Sequence, residues 1–323
     1  MRCADIAALS HLAGTQFSVV EPSLAADGAV LRGRYLMMPL RSGLVLHATD
    51  ALDLHDTTTQ VVHGEGLTLS LFLEGSADIS FGGQAFHLGP GGAGEVEGVL
   101  MARAEPDLFV RRGRRGTRVR KVNISMPREW LEAGGLEQAE QHRAVAGFSR
   151  DHLASVRWRP SARLVALAEQ ILAPPEYGPL LAGLYVESRA LEMVFEALGA
   201  LGDPAGGVAA PLRPRERNRM WTVQDFVESQ LHRDLTLDEI AREAGMSVNT
   251  LQRGFRAMFG MTVFEYVRHR KLERARDALA ADGLTVAQAA YLAGYNSSAN
   301  FATAFKRAFG VSPKMLRSRS GGG

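Results

Sequence analysis

Cysteine occurs once in the 323 residues, at Cys3. That excludes an intrachain disulfide and a cluster of thiolate metal ligands. No stretch approaches the roughly 18 consecutive apolar residues of a membrane-spanning helix. Residues 1–5, Met-Arg-Cys-Ala-Asp, lack the long apolar run of a signal peptide, so the expectation is a cytoplasmic protein with no membrane partner. Nucleophile elbow, phosphate loop and paired-carboxylate signature are all missing, and Ser188 lacks the sharp glycine-flanked turn of a nucleophilic serine. An enzyme would need a metal site in the N-terminal half, so the expectation is no catalytic residue.

The overall charge of +2 conceals an asymmetry. Residues 213–323 carry 18 lysines and arginines against 11 acids, a net of +7, and the remainder carries 19 against 24, a net of −5. A basic end of this kind is the electrostatic footprint of a nucleic-acid partner.

The basic end also repeats itself. Leu235-Thr236-Leu237-Asp238-Glu239-Ile240-Ala241 leads to Ala244-Gly245, a turn, and a helix closing on Phe255, Phe259 and Gly260. Leu284-Thr285-Val286 leads to Ala293-Gly294, a turn, and a helix closing on Phe305, Phe309 and Gly310. Each copy reads as helix-turn-helix. Thr236 with Glu239 forms an expected capping box, Thr285 is the equivalent cap, and Ser247 and either Ser297 or Ser298 cap the second helices. Gly245 and Gly294 stop the first helices, where a positive φ makes the turn inexpensive. One long helix over residues 263–281 joins the copies. Two such units place two helices in successive major grooves of one duplex. In the first, Asn249, Thr250, Gln252, Arg253 and Arg256 face outward, with amides and guanidinium groups suited to base edges. In the second, Ser298, Ala299, Ala302, Thr303 and Lys306 face outward and suit phosphate positioning more than base choice.

Residues 294–313, GYNSSANFATAFKRAFGVSP, resemble the signature of the AraC/XylS family of bacterial transcription regulators. The resemblance covers residues 220–317. It implies double-stranded DNA and RNA polymerase as partners, an N-terminal domain that senses a small molecule and forms a homodimer, and activation of transcription. It places the base-reading positions on Asn249, Gln252, Arg253, Ser298, Ala299, Ala302 and Thr303. Gly254 departs from the family, where a larger apolar residue is commoner. Glycine there costs about 1 kcal/mol relative to alanine, so a softer helix is expected.

Residues 44–125 turn to strand patterns, at 44–48, 67–73, 77–81 and 118–124, with turns at 74–76 and 82–84. Short strands with glycine turns predict a small cupin-like barrel whose mouth holds a ligand. Helices follow at 161–173 and 179–201. In the second, Leu180, Leu184, Glu187, Leu191, Val194, Phe195 and Leu198 recur at helical spacing and suit either intrachain packing or a dimer seam. The fold expected is α+β: residues 1–200 sensing and dimerising, a Gly- and Pro-rich linker at 201–219, a DNA-binding domain at 220–317 and a loose tail at 318–323.

Residues 66–82 and 184–192 resemble the sensor half of regulators that respond to iron-loaded siderophores, the pyochelin-regulator type. That implies a ferric siderophore as effector, with no cofactor besides it. A sugar or an aromatic acid controlling catabolic genes is the alternative, and a cupin metalloenzyme fused to a DNA-binding module the remaining one. His47, His55, His63 and His87 lie near Asp50, Asp53 and Asp56, but the spacing matches no ligand pattern, and no metal is expected. The run from Arg111 to Arg118 reads as a solvated hairpin tip, with attraction of an anionic effector as the sharper alternative. Trp130, Trp158, Tyr35, Met37 and Met38 suit a planar aromatic ligand or plain core.

Overall fold

The computed structural model describes residues 1–12, 17–21, 28–90, 95–136, 142–202, 211–281 and 284–320. The elements in order are α1 (Cys3–Leu12), β1 (Phe17–Glu21), β2 (Leu31–Pro39), β3 (Val45–Asp53), β4 (Thr57–His63), β5 (Gly66–Glu74), β6 (Ala77–Phe81), β7 (Gln84–Leu88), β8 (Glu97–Arg103), β9 (Asp107–Gly113), β10 (Arg118–Pro127), α2 (Arg128–Ala133), α3 (Arg143–Ser149), β11 (Ser155–Trp158), α4 (Ala162–Leu172) and α5 (Pro179–Gly202), then α6 (Pro214–Ser229), α7 (Leu237–Glu243), α8 (Val248–Phe259), α9 (Val263–Ala281), α10 (Val286–Leu292), α11 (Ser298–Phe309) and α12 (Pro313–Ser320). They form two units, Met1–Pro214 with Ala257–Gly260, and Arg215–Arg256 with Met261–Gly323.

The strands form two antiparallel ladders. One runs β1-β4-β9-β6-β7, the other β11-β8-β5-β10-β3-β2. The chain passes between the ladders repeatedly, among other places at 54–56, between β3 and β4, and at 114–117, between β9 and β10. The arginine run therefore does not tip a hairpin, because its two flanking strands pair with different partners.

The six-stranded sheet is covered on its outer face. Leu44, Leu46, Leu67, Leu69, Leu71, Leu100, Val122, Ile124 and Met126 pack there with Leu164, Leu167 and Ile171 of α4 and Val186, Ala190, Met193 and Val194 of α5. Burying each such side chain contributes about 1.5–3 kcal/mol. Strand side chains alternate with period two, so the residues between these leucines point to the other face. They are Thr68, Ser70 and Phe72 on β5, His47 and Thr49 on β3, and Lys121, Asn123 and Ser125 on β10, and they border a cavity between the sheets.

α4 starts where Ser161 accepts a hydrogen bond from Leu164 N. α6 starts at Pro214, inside the segment expected as linker; a proline fits a first helical turn because its missing N–H has no partner to lose. Residues 203–210 of that segment, and 321–323 of the expected tail, lie outside the described residues, and α12 carries the chain to Ser320. No described helix is long and apolar enough to cross a membrane.

Candidate nucleic-acid interface and effector cavity

The two helix-turn-helix copies share their stops. Gly245 has φ 61° and Gly294 φ 79°. Met246 N donates to Ala241 O at 3.0 Å and Tyr295 N to Ala290 O at 2.9 Å, the six-to-one closure of a Schellman turn. Their starts differ. Thr236 Oγ1 accepts from Glu239 N, but the Glu239 carboxylate is drawn chiefly to Arg233 at 2.6 Å, with the Thr236 backbone its weaker partner, so the expected capping box is incomplete. Arg233 supplies a charge-assisted bond that the backbone N–H of Thr236 cannot match. The full box lies in the second copy, where Gln288 Oε1 accepts from Thr285 N at 2.9 Å. Ser247 and Ser297 cap α8 and α11.

Beneath α11, Phe301, Phe305 and Phe309 form a buried aromatic row with Leu272 and Leu279 of α9 and Ala289 and Ala290 of α10. The outer side of α8 leaves Asn249, Thr250, Arg253 and Arg256 exposed, with Gln252 half-buried. That of α11 exposes Ser298, Ala299, Thr303 and Lys306, with Ala302 half-buried. Thr250 Oγ1 bonds Ser247 Oγ at 2.9 Å, and Thr303 Oγ1 donates to Ala299 O at 3.0 Å, so both hydroxyls are turned onto their own helices. Gln252 Oε1 is buried without a hydrogen-bond partner among the described residues. Gly254 has a packing reason: a Cβ there would stand 3.0 Å from Met220 Sδ, so α8 lies close on α6. The glycine reflects that approach as well as the propensity cost.

The first unit holds the cavity, about 340 Å³, within the range of small-molecule sites. Val61, Ile79, Phe72, Phe81, Val99 and Met101 give it apolar walls. Polar groups stand among them, including Arg111, Arg103, His47 and Lys121. Arg111 turns inward and pairs with Asp53, at 2.6 and 3.2 Å. Arg103 donates to Gly64 O at 2.9 Å and Thr68 Oγ1 at 2.7 Å. His47 accepts at Nδ1 from Asn123 Nδ2, 3.4 Å away, and lies 2.9 Å from Thr49 Oγ1 through Nε2. Lys121 is 94% buried, its ammonium 5.4 Å above the Phe72 ring.

Burial and the cations Lys121 and Arg111 hold the His47 imidazole well below its usual range, and burial beside Arg103 pushes His63 down to about 3. Both rings are neutral at pH 7. Burial, with Arg111 nearby, brings Lys121 down to about 7, and burial raises Tyr35 to about 12.

The histidines and aspartates that cluster in the sequence are dispersed by this arrangement. His47 and His63 line the cavity, while His87 pairs with Asp78 at 2.7 Å. Asp50 takes Arg118 and Arg120, Asp53 takes Arg111, and Asp56 accepts from Arg115 N. Tyr35 and Met37 border the cavity, whereas Trp130, Trp158 and Met38 pack on the helix-covered core. Sequence patterns do not single out Lys121, Asn123 or Arg103. The available signal is the alternation Val119, Lys121, Asn123, Ser125, which has the pattern of a solvent face.

A paired helix-turn-helix unit in one chain with a ligand-sized cavity between two sheets defines a DNA-binding regulator with an effector domain. Residues 32–212 match the family described as the regulatory protein PchR N-terminal domain, and residues 240–319 match a helix-turn-helix domain. The chain belongs to the AraC/XylS family of transcription regulators, with a PchR-type N-terminal domain. It is similar to the transcriptional activator NphR of Rhodococcus sp, 29% identical over 257 residues that cover 79% of this chain and 70% of that protein. It is similar to the HTH-type transcriptional activator AarP of Providencia stuartii, 36% identical over 92 residues, 28% of this chain and 68% of that one. Among solved structures, the AraC-like transcriptional activator CuxR shares 16% identity at a TM-score of 0.36, over 90% of this chain and 94% of that chain.

Proposed function

We propose that the protein is a cytoplasmic transcription activator whose cavity binds a ferric siderophore and whose α8 and α11 read the operator as part of a homodimer that engages RNA polymerase. The observation that carries the reading is the 340 Å³ cavity, lined mostly by residues of the span that matches the PchR N-terminal domain. An effector switches the protein only by binding the active form more tightly than the inactive one. Coupling of about 1–3 kcal/mol is ordinary for such systems, and the operator then tightens effector binding by the same factor. Iron organises the chelator's shape, so iron-free siderophore binds less well.

The test is calorimetric titration of the full chain with ferric and iron-free siderophores, with and without operator DNA. Neither Trp130 nor Trp158 borders the cavity, so their fluorescence is a poor reporter. Binding of a sugar or aromatic acid, with no response to any ferric siderophore, replaces the iron reading with a catabolic one. On the DNA side, Arg253 and Gln252 contact bases and Lys306 a phosphate. Arg253→Ala and Gln252→Ala each cost about 1–3 kcal/mol on operator DNA and relax preference at one half of the site. Equal loss on random DNA, read by footprinting, would reassign both residues to the backbone.

A further inference from the structure

Among the described residues, each cation of the cavity but one has oxygen partners. Both nitrogens of the Arg111 fork meet the Asp53 carboxylate. Arg103 is held by a carbonyl and a hydroxyl. Lys121 has no hydrogen bond or ion pair among the described residues; its neighbours are the Phe72 ring and the apolar wall. A buried ammonium with no counter-charge is costly. The described lining offers no free one, because Asp53 is already paired with Arg111 and Glu65 with Arg128, and His47 and His63 are neutral. Two residues along β10, on the same face, the buried Oδ1 of Asn123 also lacks a partner. Neighbours on one face of a strand stand roughly 6.5–7 Å apart.

We infer that Lys121 is the anchor for an anionic group, a carboxylate on an apolar or aromatic body, and that Asn123 receives a hydroxyl or N–H of the same molecule about 7 Å from that group. The inference rests on the cavity being the effector site and names what the effector must carry. A carboxylate there supplies the oxygen partner that Lys121 lacks among the described residues, and the ring fills the space between Phe72, Ile79 and Met101.

The probe is 4-hydroxybenzoate, whose hydroxyl and carboxylate stand at that separation, against its neutral methyl ester. Both are titrated into the full chain by calorimetry in two buffers of different ionisation enthalpy. Burial and Arg111 bring the pKa of the free ammonium down to about 7, against the pull of Asp53; His47, Arg103, His63, Tyr35 and Glu65 are the other titratable groups facing the cavity, from β3, β8, β4, β2 and the turn between β4 and β5. Binding of the acid therefore takes up roughly half a proton at pH 7 and almost none at pH 5.5, where Lys121 is already charged. The ester takes up none. Lys121→Met weakens the acid roughly ten- to a hundredfold and leaves the ester unchanged. The wild-type comparison of acid with ester needs no variant, so it stands even if Lys121→Met misfolds. Equal binding of acid and ester, or acid binding that Lys121→Met leaves unchanged, overturns the anchor and leaves the cavity a ligand site. If neither compound enters at millimolar concentration, the anchor is overturned, and the effector cavity stands or falls separately by the siderophore titration.

Discussion

His63 carries part of the acid response of the first unit, beside His47. Its ring lies 5.2 Å from that of Phe109, edge-on, and 6.1 Å from that of Phe81, and burial beside Arg103 holds it neutral down to about pH 3. In the unfolded chain the same ring protonates near 6.5. Between these values the unfolded state binds more protons, so stability rises with pH through the window and is lost as pH falls from about 6.5 to about 3. His63→Phe, which keeps the ring stack, flattens that loss. The measurement is the urea midpoint of the full chain at pH 7, 5.5 and 4.5, and a variant as acid-sensitive as wild type sinks the assignment. Residues of this kind are poorly legible in the sequence. The outward set on α8 can be read directly, because a helix with Leu251, Phe255 and Phe259 inside must show Asn249, Arg253 and Arg256 outside. Lys121 and Asn123 cannot, since alternating polar residues on a strand have the same pattern whether they face water or a cavity.

At the scale of elements, α9 is the segment whose ends the sequence marks without loss, Val263 to Ala281, about 28 Å long at 1.5 Å per residue. The strands are legible where leucine alternates, as in β5, and hidden in β4, where Thr57, Thr58 and Thr59 precede Val61 and both faces are mixed. Which strand pairs with which is not legible at all, because register between distant strands leaves no local mark. Gly254 is the sharpest case of a local rule overridden by packing. A propensity argument alone makes any larger residue an improvement on α8. The 3.0 Å approach to Met220, itself 98% buried, says otherwise. Gly254→Ala gains propensity and asks Met220 to move a few tenths of an ångström, so its net effect stays within about 1 kcal/mol. Gly254→Leu forces α8 off α6 and costs about 1–3 kcal/mol. Thermal melts of the two variants decide it. A leucine variant as stable as wild type would mean that α6 and α8 separate freely.

The whole molecule divides its work by charge, and the exposed apolar stripe of α5 then needs an occupant. The helix has two apolar faces, which helical spacing alone merges into one. Val186, Ala190, Met193, Val194 and Ala197 are buried in the first unit's own core, and Val194, expected as part of the seam, is 2% exposed there. Glu187 is taken by Ser42, whose N–H donates to its carboxylate at 2.6 Å. Leu180, Leu184, Leu191 and Phe195 remain, at spacings of four, seven and four residues, with Phe195 79% exposed. Large apolar side chains in such a row along a helix mark an interaction surface rather than scattered exposure. The proposed homodimer would set a second copy of the same helix against it, since a symmetric pair sets the same patch against itself. The Arg163–Glu192 and Ser161–Glu196 contacts beside the row tie α5 to α4 and fix its facing. Leu191→Glu with Phe195→Glu therefore gives a folded monomer whose operator affinity drops, because one chain engages only one half of a paired site. Val194→Glu, by contrast, unfolds the first unit. Sedimentation velocity and circular dichroism on the full chain separate the outcomes. A double variant that still sediments as a dimer moves the seam elsewhere, and one that loses its fold returns the whole helix to intrachain packing.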